Sequence, residues 1–219
     1  MRETKRTKQV CVFDFDGTLV DSMSGFADIA AQVLSETHQI LPSVARQKYL
    51  ETSGLPFCEQ IENIFPGDAR NTEAVRRFEV EKKKNYLSKE FFQQVPEVLQ
   101  YLREKGIKIA ISSNNFQEVI ETFLLEKGLS LSDPAFDLVL GWQPNFAKGK
   151  EHFEQIQKTL KISSDGILFI GDSLKDAEKA AGHQVDFIGK TGTFSREEFH
   201  KQFPKISVID NLLQLKEIL

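Results

Sequence analysis

The sequence predicts an α/β protein: a doubly wound parallel sheet that carries an inserted α-helical unit. Three observations lead there. Val10, Cys11, Val12 and Phe13 form an apolar run with the length and continuity of a strand buried on both faces. From Pro96 onward, short apolar runs alternate with helical patterns, the rhythm of βαβ units and a parallel sheet. Between these regions, about seventy residues carry helical periodicity alone.

Taken in order, the first run stops at Asp14 and Asp16, two carboxylates one residue apart, with Gly17 behind them. Charged side chains are rarely buried without partners, so the pair is expected where a buried strand opens into a cleft. Gly17 permits a tight turn and a close approach to a ligand. Met23, Phe26, Ala27, Ala30, Val33 and Leu34 then recur at helical spacing, with Ser22 as the expected N-cap. Pro42 suits the first turn of a helix reaching about Leu50. The turn-rich stretch Thr52-Ser53-Gly54-Leu55-Pro56 precedes a short helix over 57–65 and a longer one over 71–87. Val98, Leu99 and Leu102 mark a helix closed by Gly106. Strands are expected at 107–111, 136–140, 167–170, 185–188 and 206–209. Helices are expected through Val119 and Phe123, around Phe153 and Ile156, up to Gly182, and at the end.

Composition narrows the function. A chain of 219 residues can bury a substantial core, and a formal charge of −4 offers no basic footprint for nucleic acid. The basic start (Arg2, Lys5, Arg6, Lys8) leads into a short strand rather than a long apolar segment, so no signal peptide is expected. No run is long and apolar enough to predict a membrane span. Cys11 and Cys58 do not make a disulfide framework, which points to a reducing, cytoplasmic setting. His38, His152, His183 and His200 show no metal-ligand spacing. The run Glu81-Lys82-Lys83-Lys84 reads as a solvated helix face. A monomer or weak dimer is the default expectation.

Four strand ends carry polar residues: Asp14 and Asp16, Ser113 and Asn114, the Lys148 region, and Asp172 and Asp176. In a parallel sheet such ends share one edge, so they can converge. Carboxylates gathered there repel one another unless a cation sits among them. An all-oxygen ligand set favours Mg²⁺ over zinc, and Mg²⁺ leaves coordination positions for a phosphate. That is the outline of a phosphoryl-transfer site.

The stretch Asp14-Phe-Asp-Gly-Thr-Leu-Val-Asp21 resembles the first motif (Asp-x-Asp-x-Thr) of the haloacid dehalogenase superfamily of phosphohydrolases. Ser113-Asn114, Lys148 and Gly171-Asp172-Ser-x-x-Asp176 resemble the other three motifs, in the expected order. The resemblance covers most of the chain, leaving out the region just after the first motif. It implies a Rossmann-like catalytic core over 1–20 and 92–219 and a helical cap over 21–91. It further implies a Mg²⁺-dependent phosphatase that hydrolyses a small phosphorylated metabolite through an aspartyl-phosphate. The alternative is a sugar-phosphate mutase using the same nucleophile. A dehalogenase of this family would lack the second aspartate, so Asp16 argues against one. A non-enzymatic domain would show a broken set of motifs, and none of the key positions is broken.

The resemblance also assigns roles. Asp14 matches the nucleophile and Asp16 the general acid/base, whose main-chain carbonyl would contact the metal. Ser113 matches the hydroxyl that donates to a phosphoryl oxygen, with Ser112 as second choice because strand register is not readable. Lys148 matches the lysine that neutralises charge, although Phe146-Ala-Lys148-Gly-Lys150 departs from the commoner Lys-Pro form and Lys150 remains a candidate. Taken alone, either lysine reads as a surface charge. Asp172 would ligate Mg²⁺, and Asp176 would either ligate it or support the lysine. Gly17, Thr18, Asn114 and the cap residue Gly54 complete the expected substrate contacts. Arg46 or Lys48 could bind an anionic substrate group, although each taken alone reads as an ordinary surface charge.

Overall fold

A computed structural model of the chain describes residues 8–129 and 135–219. The early basic residues Arg2, Lys5 and Arg6 lie outside these. Strand β1 (Val10–Phe13) is followed by four helices: α1 (Met23–His38), α2 (Pro42–Glu51), α3 (Phe57–Ile64) and α4 (Asn71–Tyr86). Helix and strand then alternate through α5 (Val95–Glu104), β2 (Lys108–Phe116), α6 (Gln117–Glu126), β3 (Leu138–Trp142), α7 (Lys150–Leu160) and β4 (Ile167–Gly171). The chain continues with α8 (Leu174–Gly182), β5 (Asp186–Lys190), α9 (Arg196–Gln202), β6 (Ser207–Ile209) and α10 (Leu215–Ile218).

The six strands form one parallel sheet in the order β3-β2-β1-β4-β5-β6. From β1 the chain winds outward through β2 and β3, then returns to the other side of β1 and winds outward again. The order therefore reverses between β1 and β4, and a crevice opens at the carboxyl ends of strands there. Alternate residues of β1 serve opposite faces. Val10 and Val12 pack with Phe153 and Ile156 of α7 and Ala180 of α8. Cys11 and Phe13 join the larger cluster that includes α5, α6 and the inserted helices.

The insertion rejoins the sheet through two chain segments running side by side. Val20 bridges Phe91 in antiparallel fashion, Asp21 N donates to Glu90 O (3.0 Å), and Phe92 N donates to Leu19 O (2.9 Å). An aromatic cluster fills the junction. Phe123 of α6 meets Phe15, Tyr86 and Phe91 edge-on at centroid distances of 5.5, 5.7 and 5.2 Å. Such edge-to-face contacts add to the burial of each ring.

Several sequence expectations shift. The strand predicted at 107–111 runs on through Ser112–Asn115 to Phe116, with a register irregularity between Ser112 and Phe116 against β3. Polar residues masked this extension. The strand predicted at 136–140 lies at Leu138–Trp142. Helix α9 was not expected, although Ser195 and Glu198 form a reciprocal capping box in front of the buried Phe199. Ser22 precedes α1 as predicted, but its hydroxyl makes no capping bond because it is committed elsewhere. Among the described residues, no helix is long and apolar enough to cross a membrane.

Phe123 has no exposed surface and touches three other rings. Phe123→Ala should cost about 3–5 kcal/mol of stability, read from urea denaturation.

Candidate active site

The crevice at the β1/β4 reversal gathers the acidic residues. Asp14 follows β1 directly, and its amide donates to Ile170 O (2.8 Å), which continues the parallel ladder. Asp172 follows β4, and Asp176 lies on the first turn of α8. Oxygens of these three buried carboxylates lie within 4.8 Å of one another. Lys148, in the loop before α7, enters the same space. Its ammonium is 2.9 Å from Asp14 Oδ1 and 2.6 Å from Asp176 Oδ1. Lys148 is buried, whereas Lys150 is exposed on α7. Of the two lysines, Lys148 is therefore the one brought to the acidic group, where a buried ammonium needs carboxylate partners and this one has two.

Charge and burial compete here. Burial drives the Asp14 carboxyl well above its ordinary range; Lys148 opposes this, while Asp176 and Asp172 reinforce it. Asp172 is pushed up to about 6 by burial and by Asp176. Burial also works against charge on Lys148, yet the two carboxylates outweigh it and hold the ammonium above its usual value. Lys190 and Lys179 act on the group from farther off than Lys148. The crowded carboxylates and the all-oxygen donor set fit a hard divalent cation. Asp172 offers such an ion a fixed oxygen, since Thr193 Oγ1 donates to its Oδ2. Asp176 is less available. Its Oδ2 accepts from Ser173 Oγ (2.6 Å), and its other oxygen faces Lys148, so it supports the lysine.

Asp16 is not one of that group, although it lines the same cavity. Its Oδ1 accepts from Ser22 Oγ (2.7 Å) and Tyr86 Oη (2.8 Å), and its Oδ2 accepts from Asn115 Nδ2 (3.0 Å). Gly17, at φ +80°, lets the chain turn directly against Asp172, where a Cβ would overlap the carboxylate. Thr18 is fully buried, lies outside the cavity lining, and its hydroxyl has no hydrogen-bond partner among the described residues.

The register of β2 separates the two serines. Ser112 turns toward α7, where its hydroxyl meets His152 Nδ1 (2.9 Å), and burial pushes that imidazole down to about 3. Ser113 lines the cavity with Asp14, and its Oγ accepts from Asn115 N (3.1 Å), leaving its own proton free. Asn114 joins two elements: its Nδ2 donates to Gly54 O (2.9 Å) and its Oδ1 accepts from Lys148 N (3.2 Å). Gly54, at φ +94°, seats its loop so closely on Ser173 that a Cβ would overlap the serine hydroxyl.

A cavity of about 160 Å³ separates these residues from the inserted helices, which contribute Met23, Tyr49, Phe57 and Phe78. Lys82 also lines it, with Nζ 5.1 Å from the Phe26 ring centroid, so the expectation of a wholly solvated 81–84 face is corrected at that position. Arg46 instead pairs with Asp28 (3.0 Å) outside the cavity, and Lys48 does not line it. Sequence reasoning missed Tyr86, Asn115 and Thr193. Tyr86 carries no local signal. Thr193 follows β5 on the same sheet edge as the other site residues, which was a usable clue.

A family model described as haloacid dehalogenase-like hydrolase matches residues 11–190. A phosphoglycolate phosphatase of Aquifex aeolicus (strain VF5) is 29% identical over 210 residues, covering 91% of this chain and 92% of its own length. A phosphoglycolate phosphatase of Pectobacterium atrosepticum is 28% identical over 189 residues, 82% of this chain and 78% of its own. Among solved structures, the haloacid dehalogenase-like family hydrolase SP0104 of Streptococcus pneumoniae is similar in fold, with a TM-score of 0.78 at 20% identity. The match covers 96% of this chain and 98% of that one.

Removing one partner of a buried ion pair leaves the remaining charge uncompensated. In metal-free protein, Lys148→Met should lose about 3–5 kcal/mol in urea denaturation. Lys150→Met should stay within about 0.5 kcal/mol of the parent.

Proposed function

The chain belongs to the haloacid dehalogenase-like hydrolase family and is a phosphatase, and we propose that it hydrolyses a small phosphomonoester through a phosphorylated Asp14. The observation that carries this reading is the gathering of Asp14, Asp172, Asp176 and Lys148 at one crevice, from three separate strand–helix connections. We assign residues 1–20 and 92–219 to the catalytic core and 21–91 to the cap that covers it.

Asp14 is the nucleophile. One of its oxygens is paired with Lys148, which leaves the other to attack phosphorus. As that bond forms, the bond from phosphorus to the leaving oxygen breaks, and Asp16 supplies the proton the leaving oxygen needs. Asp16 then takes a proton from the water that attacks phosphorus and releases phosphate from Asp14. Ser113 donates its free hydroxyl proton to a phosphoryl oxygen, and Lys148 offsets the charge that gathers on the transferred group. Mg²⁺ held by Asp14, Asp172 and the main-chain carbonyl of Asp16 would supply the positive charge that lets an anionic phosphate approach a carboxylate. Asp176 keeps Lys148 in place throughout.

The modest cavity supports a small leaving group, and the phosphoglycolate phosphatases among the relatives make phosphoglycolate the first substrate to assay.

Phosphate release from a panel of phosphomonoesters should require Mg²⁺ and stop in EDTA. Asp14→Asn should be inactive, and Asp16→Ala should fall by about two to four orders of magnitude on alkyl phosphates. One free phosphate should appear per substrate consumed, which a mutase would not give. Turnover undiminished by EDTA would overturn the metal assignment. Mg²⁺ should also raise the melting temperature of the parent but not of Asp172→Ala.

A further inference from the structure

We propose that Tyr86 and Asn115 are positioning residues for Asp16, and that with Ser22 they confine its transferable proton to a single site on Oδ2. The inference rests on the reading of Asp16 as the general acid/base. It concerns residues outside every motif quoted above.

An ionised carboxylate offers roughly four lone-pair positions, two on each oxygen. Oδ1 of Asp16 accepts from Ser22 Oγ at 2.7 Å and from Tyr86 Oη at 2.8 Å, so both of its positions are taken. Oδ2 accepts from Asn115 Nδ2 at 3.0 Å, which takes a third. One position remains, on Oδ2, and a proton carried there is the one available to a leaving oxygen.

The donors are themselves held. Tyr86 is 1% exposed, and its ring lies between Phe15 (6.3 Å, stacked), Phe26 (5.6 Å, stacked) and the edge-on Phe123 (5.7 Å). A phenol gripped on three sides delivers its hydroxyl to one place. Asn115 is 3% exposed, and its Oδ1 accepts from Phe116 N (3.0 Å), which orients the amide so that Nδ2 faces Asp16. Ser22 has left its ordinary N-capping bond to serve the carboxylate. Tyr86 belongs to the insertion and Asn115 to the sheet. The acid is therefore aligned only when both parts are in register.

Displacing a catalytic group by about an ångström can cost on the order of a hundredfold, and a general acid matters most when the leaving oxygen is basic. The test is kcat/KM in Mg²⁺ for 4-nitrophenyl, phenyl and benzyl phosphate, a series of rising leaving-group basicity. Tyr86→Phe retains the packed ring and removes only the hydroxyl. It should lose about tenfold to a hundredfold on benzyl phosphate and less than about threefold on 4-nitrophenyl phosphate. Asn115→Ala and Ser22→Ala should show the same dependence, and carry the test if Tyr86→Phe does not fold. Asp16→Asn should show the steepest dependence of all. An equal loss on all three esters in the Tyr86 and Asn115 variants, with a steep Asp16→Asn, would reduce these residues to packing and overturn the inference alone. A flat response in Asp16→Asn itself would overturn the acid/base reading, and the inference with it.

Discussion

Three carboxylates buried within a few ångströms of one another are the constraint on which the rest of the molecule depends. Isolated carboxylates do not stay charged in such a place. The fold answers with Lys148, carried in from the loop before α7 and clamped between Asp14 and Asp176, while Lys190 and Lys179 act on the group from farther off. A group of carboxylates this close is one that could hold a metal ion. The sheet makes the crowding possible, because the reversal of strand order between β1 and β4 puts Asp14 and Asp172 side by side.

Asp16 sits two residues beyond Asp14 but faces a different environment. Asp14 is surrounded by charge; Asp16 is surrounded by neutral donors. Two carboxylates two residues apart thereby acquire separate chemical characters. The tight turn at Gly17 contributes, since no larger residue fits between that backbone and Asp172. The aromatic cluster around Phe123 provides the rigid backing against which the Tyr86 hydroxyl is aimed.

Much of this was legible in the sequence, for identifiable reasons. Strand β1 declared itself because an unbroken apolar run ends at charged residues. Asp172 and Asp176 stood out because Gly-Asp-Ser follows another such run. The choice between Ser112 and Ser113 was not legible, since it depends on which way each side chain leaves β2, and one residue of register reverses the answer. Lys148 and Lys150 were likewise indistinguishable, because burial is a property of the loop path and not of the residue. The far end of β2 was hidden by its own polarity. Tyr86 was out of reach altogether. Its hydroxyl acquires meaning only once the chain, 70 positions beyond Asp16, has returned to the sheet.

Asn114 shares one side chain between two distant tasks, holding the Gly54 carbonyl with its amide hydrogen and the Lys148 amide with its oxygen. Access and electrostatics are thus mechanically linked at a single residue. A displacement at Gly54 would break the asparagine's bond to that carbonyl while leaving its bond to the lysine's backbone in place.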